Sequence, residues 1–497
     1  MKNYFFLFTL TITLFISCSD GEEPDSSTLE PTCEGTIVIS GFDTGSNKLN
    51  LNWTSNGNYL EYDIEYGLKG FSLGEGTQLR VNSTSVELQN LEFNSDYDIY
   101  LRGICLEKSG SWTNVTSFKT KCDIGFYEGD IFLYNQDDVE NFASMCYSGI
   151  NGNLEITGFY DSESEPKISD LSSLANLQEV SGFLRIVAND DLKNLNGLEG
   201  LKKVGHLNLE ENEQLESIEA LSGLEVIYGE ITNYTVHDFE GLFISYCPSL
   251  TTLEGLQNIS SVVKITIRLN DALVDLNGLR GLISVSDNLE LLRNDGLTTL
   301  YGFNQLESVG NRFTIRQLNS LISLEGLEKL ERVEKLDIIL NQSLKSLTAI
   351  SNINSVDEFN CLQNNLENLN GINLDVINTS FNLKSQILND LTGISGTSTN
   401  ARLEIRNSIN LQSLSGLESL VSAGNIKLSG NPELTELLGL EGLRAIEESL
   451  DIKYNNKLNN FCALDGLVNV GGYSGEWSVS LNLLNPSIED IQNGNCN

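Results

Sequence analysis

From about residue 169, the aliphatic positions along the chain follow two spacings in turn. A short alternation of apolar and polar residues is followed by apolar residues three apart, as at Val204, Leu207, Leu209, Leu215, Ile218, Leu221 and Leu224. The alternation predicts a strand with two side chains pointing to one face, and the three-residue steps predict a coil that returns beside it. The unit repeats. The aliphatic or aromatic residue of its "GL" element falls at Leu174, Leu198, Leu221, Leu256, Leu279, Phe303, Leu327, Ile350, Ile372, Ile394, Leu417, Leu440 and Leu464, at intervals of 22 to 24 residues and once of 35. One coil cannot cover its own leucines. Stacked copies can, so about 13 coils over 169–470 are expected to pair their strands in parallel around a continuous core, with caps at 123–168 and 471–497.

Polar positions repeat with the same period. Asparagine recurs just after the strand at Asn189, Asn212, Asn270, Asn294, Asn341, Asn431 and Asn455. An amide there can both donate and accept at a tight turn, which predicts a structural ladder. Cys247, Leu318, Gln363 and Ser408 are expected to take that place in other coils. The outward strand positions carry Arg268, Arg293, Arg316, Arg406, Lys427 and Lys453 among the cations, and Glu290, Asp337, Glu404 and Asp451 among the acids. The 35-residue interval comes from an insertion at 228–240 that brings Tyr228, Tyr234, His237 and Phe239, with Phe243 and Tyr246 following. Insertions in a solenoid emerge from one face, so these aromatics, with Arg268, Arg293 and Arg316, form the candidate ligand-binding patch.

Residues 33–122 read differently. Runs at 48–53, 62–67, 85–91 and 96–105 alternate strictly, which predicts about seven short strands in two packed antiparallel sheets. With Trp53 in the second strand and Leu91 followed six residues later by Tyr97, the segment resembles a fibronectin type III domain. The resemblance implies structural roles for Trp53 in the core and for the Tyr97 hydroxyl at a corner. It also implies that Cys33 and Cys105 lie at one pole and can pair.

The repeats resemble leucine-rich repeats and, more closely, the receptor L domain that forms ligand-binding lobes in insulin and epidermal growth factor receptors. The fold class expected is therefore mainly β, a fibronectin type III-like sandwich followed by a receptor L-domain-like parallel-β solenoid. At the N-terminus, Lys2 precedes an apolar run that stops at Ser17 and Cys18, as a secretory signal over 1–17 does. "LFISC" resembles a bacterial lipobox, which implies a lipid on Cys18. The acidic stretch 18–32 resembles the tethers of Bacteroidetes-type surface lipoproteins, which implies an exported, outer-membrane-anchored chain displayed at the cell surface.

Charge and chemistry narrow the function. The 497 residues carry 30 Lys and Arg against 69 Asp and Glu, a formal net charge of −39. Such a chain repels nucleic acid and anionic membrane surfaces, so contact with a membrane is expected only through the N-terminal lipid. An exported chain can keep disulfides, and Cys33 with Cys105, Cys122 with Cys146, and Cys462 with Cys496 are the candidate pairs. The second would clamp the sandwich to the first coil and the third would close the last one. Cys247 and Cys361 are expected as buried thiols. The two histidines, His206 and His237, have no metal-ligand spacing and are expected to be solvated; no metal or cofactor is expected. Glu290, Asp337, Glu404 and Asp451 lie at least two coils apart, too far for paired glycosidase carboxylates. The expected function is non-catalytic recognition of an extracellular protein or glycan. A polysaccharide-degrading solenoid enzyme, a structural envelope lipoprotein and an accessory subunit of an uptake complex are the alternatives.

Overall fold

The computed structural model describes residues 33–106, 108–158, 166–229 and 240–497. The expected signal at 1–17, the expected tether at 18–32 and the expected lipid site Cys18 lie outside the described residues. The chain divides into two compact units, at Lys121 and Cys122.

In the first unit, seven strands form two antiparallel sheets. Ile37–Thr44, Lys48–Ser55 and Ser85–Gln89 make one, and Thr77–Val81, Glu61–Leu68, Asp96–Ile104 and Thr116–Lys119 make the other. Alternation sends Leu49, Leu51 and Trp53 inward from one sheet and Ile64, Ile99 and Leu101 from the other, and all six are buried. Trp53 is 2% exposed and meets the Tyr62 ring edge-on at 5.3 Å. The Tyr97 hydroxyl accepts a hydrogen bond from the Glu92 N–H at 2.9 Å, tying the turn before its strand to the strand itself. A disulfide joins Cys33 to Cys105.

The second unit is a parallel β-solenoid of about 15 turns. The excess over the expected 13 comes from the segment read as an N-terminal cap. Phe126–Glu128 and Ile131–Leu133 form one rung, and Gly149–Asn151 and Leu154–Thr157 form the next. The C-terminal segment likewise carries the last strand, Glu476–Ser480, paired with Ala445–Lys453. Their sequences lack the full leucine pattern, which is why they read as caps.

Each rung is built alike. In Lys203–Glu210, Leu207 and Leu209 point inward and stack in register on Leu184 and Ile186 behind and on Leu242 and Ile244 ahead. Leu215, Ile218, Leu221 and Leu224 line the rest of the coil, all fully buried. The "GL" glycine is required where the coil passes its neighbour. At Gly302, with φ +116, a Cβ would collide with the carbonyl oxygen of Leu276.

Most strands are followed by a residue with positive φ, among them Glu211, Tyr246, Leu269, Arg293 and Gln317. No β-branched residue occupies the position in the described rungs, as the crowding of Cβ in that conformation requires. The ladder residue follows. Asn294 donates from Nδ2 to the Ile267 carbonyl at 2.8 Å and accepts at Oδ1 from the Asn270 N–H at 3.1 Å. Asn212 repeats this with Ile186 and Asn189, and Asn270 with Ile244 and Cys247. In one coil the ladder position is Asn364 rather than Gln363. Gln363 takes the positive-φ turn, and Asn364 bonds the Ile338 carbonyl and the Asn341 N–H.

The ends are tied down. Helix Gln136–Ser144, capped by Asn135, packs Val139 and Phe142 on the first rungs. The Cys122–Cys146 bond forms as expected and ties the first residue of this unit to the loop that follows the helix. The Cys462–Cys496 bond closes the other end beside helix Ile488–Gln492, which opens with a Ser487–Asp490 capping box. Cys247 and Cys361 are free and buried, and burial pushes their thiols up to about 11 and about 12, so neither is a ready nucleophile.

Candidate binding face

The outward side of the parallel sheet offers three side chains per rung. They lie just before, between and just after the two inward aliphatic residues. Because rungs pair in register, these side chains form columns. The middle column runs Glu155, Arg185, Asn208, Phe243, Thr266, Glu290, and continues through Thr314, Asp337, Asn360, Asn382, Glu404, Lys427 and Asp451.

Near the insertion this face is closed. Phe243 is 1% exposed, with the Arg268 guanidinium 4.9 Å above its ring. It is therefore not part of an accessible aromatic patch: an outward residue is covered when a long neighbour in the next rung folds over it. His206 is buried rather than solvated. Its ring stacks on Phe183 at 4.7 Å, and Nδ1 accepts the Gly241 N–H at 2.6 Å. Burial pushes its pKa down to about 4, against the opposing pull of Glu240. Tyr228 and Tyr246 are exposed, with Tyr246 in the positive-φ turn. Tyr234, His237 and Phe239 lie outside the described residues.

Toward the middle the face opens into a polar cleft of about 370 Å³ lined by Lys264, Thr266, Asn288, Glu290, Arg312, Thr314 and Lys335, among others. Its walls are pre-set by hydrogen bonds. Asp287 holds the Asn288 and Asn311 amides, and Arg312 reaches Asp337 at 2.6 Å, whose other oxygen accepts from Asn360. Lys335 pairs with Glu358 at 3.4 Å. The volume falls in the range of small-ligand sites. Arg268 and Arg316 lie along one side in the column after the inward pair, with Leu292 between them in register. Arg293 does not share that face. It occupies the positive-φ turn, where Nε donates to Gln317 at 3.2 Å.

Further along, Glu404 is contacted by Arg406 at 3.6 Å, Lys427 at 3.4 Å and Arg402 at 4.0 Å, and Asp451 by Lys453 at 2.8 Å. Glu290 and Asp337 are separated by Thr314, and Glu404 and Asp451 by Lys427, so each pair stands two rungs apart, about 10 Å. Among the described residues no group of three His, Cys, Asp or Glu could hold a metal ion, and no helix is long and apolar enough to cross a membrane. The sequence reading missed Lys264, Asn288, Arg312 and Lys335. They immediately precede the first inward residue, and that position carried the signal.

Comparison with known proteins places part of this unit. Residues 146–214 match the family model described as Receptor L domain. Among solved structures, the chain is similar to a Leptospira interrogans leucine-rich-repeat protein, at 18% identity over 71% of this chain and 88% of that one, with a TM-score of 0.26. It is also similar to the FN1-FN3 domains of chicken CNTN1, at 17% identity over 18% of this chain and 29% of that one, with a TM-score of 0.15. No curated protein matches it by sequence.

Proposed function

We propose that the chain is a non-catalytic binding protein that takes an extracellular protein or glycan on the outward face of its solenoid. The observation that carries this reading is the polar cleft, whose lining converges from successive rungs and is held in place by its own hydrogen bonds. In this reading the first unit is a fibronectin type III-like spacer. The lipid on Cys18 anchors the chain in the outer membrane, with the two units displayed outside. The receptor L-domain match over 146–214 supports ligand binding as the task. The two-rung separation within the middle column, of Glu290 from Asp337 and of Glu404 from Asp451, supports a binding face over a hydrolytic one at those positions, because a glycosidase pair stands closer.

The test is a double variant, Arg312→Gln with Lys335→Gln, set against the wild-type chain on a glycan array and a panel of purified surface proteins. Loss of a wild-type ligand in the variant, with an unchanged thermal melt, is the expected result. Unchanged capture of every ligand would refute the cleft as the site, and new reducing ends after incubation with polysaccharides would refute the non-catalytic reading.

A further inference from the structure

In a chain of net charge −39, one part of the outward face reverses sign. The three consecutive strands Ile377–Lys384, Ser398–Arg406 and Ser422–Ser429 contain Lys384, Arg402, Arg406 and Lys427, four cations, against the single carboxylate of Glu404. The strands on either side are different. Ser355–Leu362 brings Asp357 and Glu358 with no cation, and Ala445–Lys453 brings Glu447, Glu448 and Asp451 against Lys453.

Register turns this island into a three-by-three grid. Ser380, Arg402 and Asn425 form one column, Asn382, Glu404 and Lys427 the next, and Lys384, Arg406 and Ser429 lie along the far side. Glu404 is the central position. Its side chain is 8% exposed, while those of Arg402, Arg406 and Lys427 around it are 55%, 45% and 39% exposed. The carboxylate therefore sits below and the cations stand above it, gathered by a partner that reaches solvent poorly.

We infer that this grid is a docking site for an acidic polysaccharide, laid across the strands with its carboxylates on Arg402, Arg406 and Lys427. Charge complementarity names the sign of the ligand. Of the five other grid positions, Ser380, Asn382, Asn425 and Ser429 bring hydroxyls and amides, which suit the hydroxyls of a sugar chain, and Lys384 brings the fourth cation. The grid carries no Trp, Tyr or Leu of the kind that anchors a protein partner, nor an aromatic platform of the kind on which single-stranded nucleic acid stacks. The inference rests on reading the outward face as the binding surface and adds the ligand class and a second place on that face.

The test uses the full chain with polygalacturonate as the probe, dextran as the neutral polymer and polyglutamate as the acidic peptide. Binding to polygalacturonate that weakens with added salt, without comparable binding to the other two, is expected. Arg406→Gln with Lys427→Gln should weaken it about tenfold for each charged contact removed. Glu404→Gln should act in the opposite direction and bind at least as tightly, because it leaves the cations uncompensated. Thermal melts show whether each variant folds, and the exposed pair of cation substitutions carries the test if Glu404→Gln does not. Equal affinity for polyglutamate or dextran would overturn the inference, as would equal losses in Glu404→Gln and the cation variants, since the grid would then only shape the strands. If the cation variants bind normally while Arg312→Gln with Lys335→Gln does not, this inference falls and the cleft stands. If neither set matters, both fall.

Discussion

The two units reach burial by opposite routes. In the sandwich every strand has its own sequence, pairs antiparallel and meets residues far along the chain, as when Glu61–Leu68 lies beside both Thr77–Val81 and Asp96–Ile104. In the solenoid every strand has nearly the same sequence and meets only the rung before and the rung after. A lost contact in the first should weaken all of it at once; in the second it should weaken a neighbourhood. The same difference explains where recognition can reside. A rung fixes its inward leucines and its ladder residue and leaves its outward positions free to vary, so one scaffold holds a closed aromatic zone, a polar cleft and a cationic grid.

The largest effect separating the two units is expected from Phe313→Ala. This ring is fully buried and meets Phe303 edge-on at 6.3 Å, so its loss costs about 3–5 kcal/mol. Hydrogen exchange should quicken in Ser308–Arg316 and the adjoining rungs and stay unchanged in the sandwich. Equal quickening in both units would break the comparison. Next, replacing Cys462 and Cys496 by Ser is expected to cost about 2–4 kcal/mol and to fray Ala445–Lys453 and Glu476–Ser480 first, measured by limited proteolysis. Asn294→Ala leaves the Ile267 carbonyl and the Asn270 N–H without their partner, at about 1–3 kcal/mol in denaturant melts of the solenoid transition. Smallest is Tyr97→Phe, which removes one hydrogen bond from the sandwich for about 1 kcal/mol and should leave the solenoid transition in place.

Much of the solenoid was legible because its periodic residues are those that geometry constrains most. Inward leucines, the close-approach glycine and the ladder amide each answer a requirement that few other residues meet. The rest was hidden for local reasons. A residue with positive φ precedes the ladder and has no strict identity, so Gln363 was mistaken for the ladder residue that Asn364 provides. Arg293 was placed on the face for the same reason. An irregularity in the ladder, such as the shift between Val309 and Arg312, separates the inward valine from the next alternation and obscures which residue before it faces outward. That concealed Arg312 and with it the cleft. Phe243 and His206 were misjudged because exposure of an outward side chain depends on what neighbouring rungs lay over it, and no single repeat records that.

The nearest-neighbour stacking has a consequence for descent. Removing or copying one whole 22- to 24-residue unit joins a leading surface to a trailing surface of the same kind, so the chain can change length by duplication or loss without meeting a new interface. Ladder bonds re-form across such a junction, since each amide reaches only the adjacent unit. Relatives of this chain should then differ by entire repeats more readily than by a few residues inside one, with the disulfide-closed ends kept and the middle lengthened or shortened.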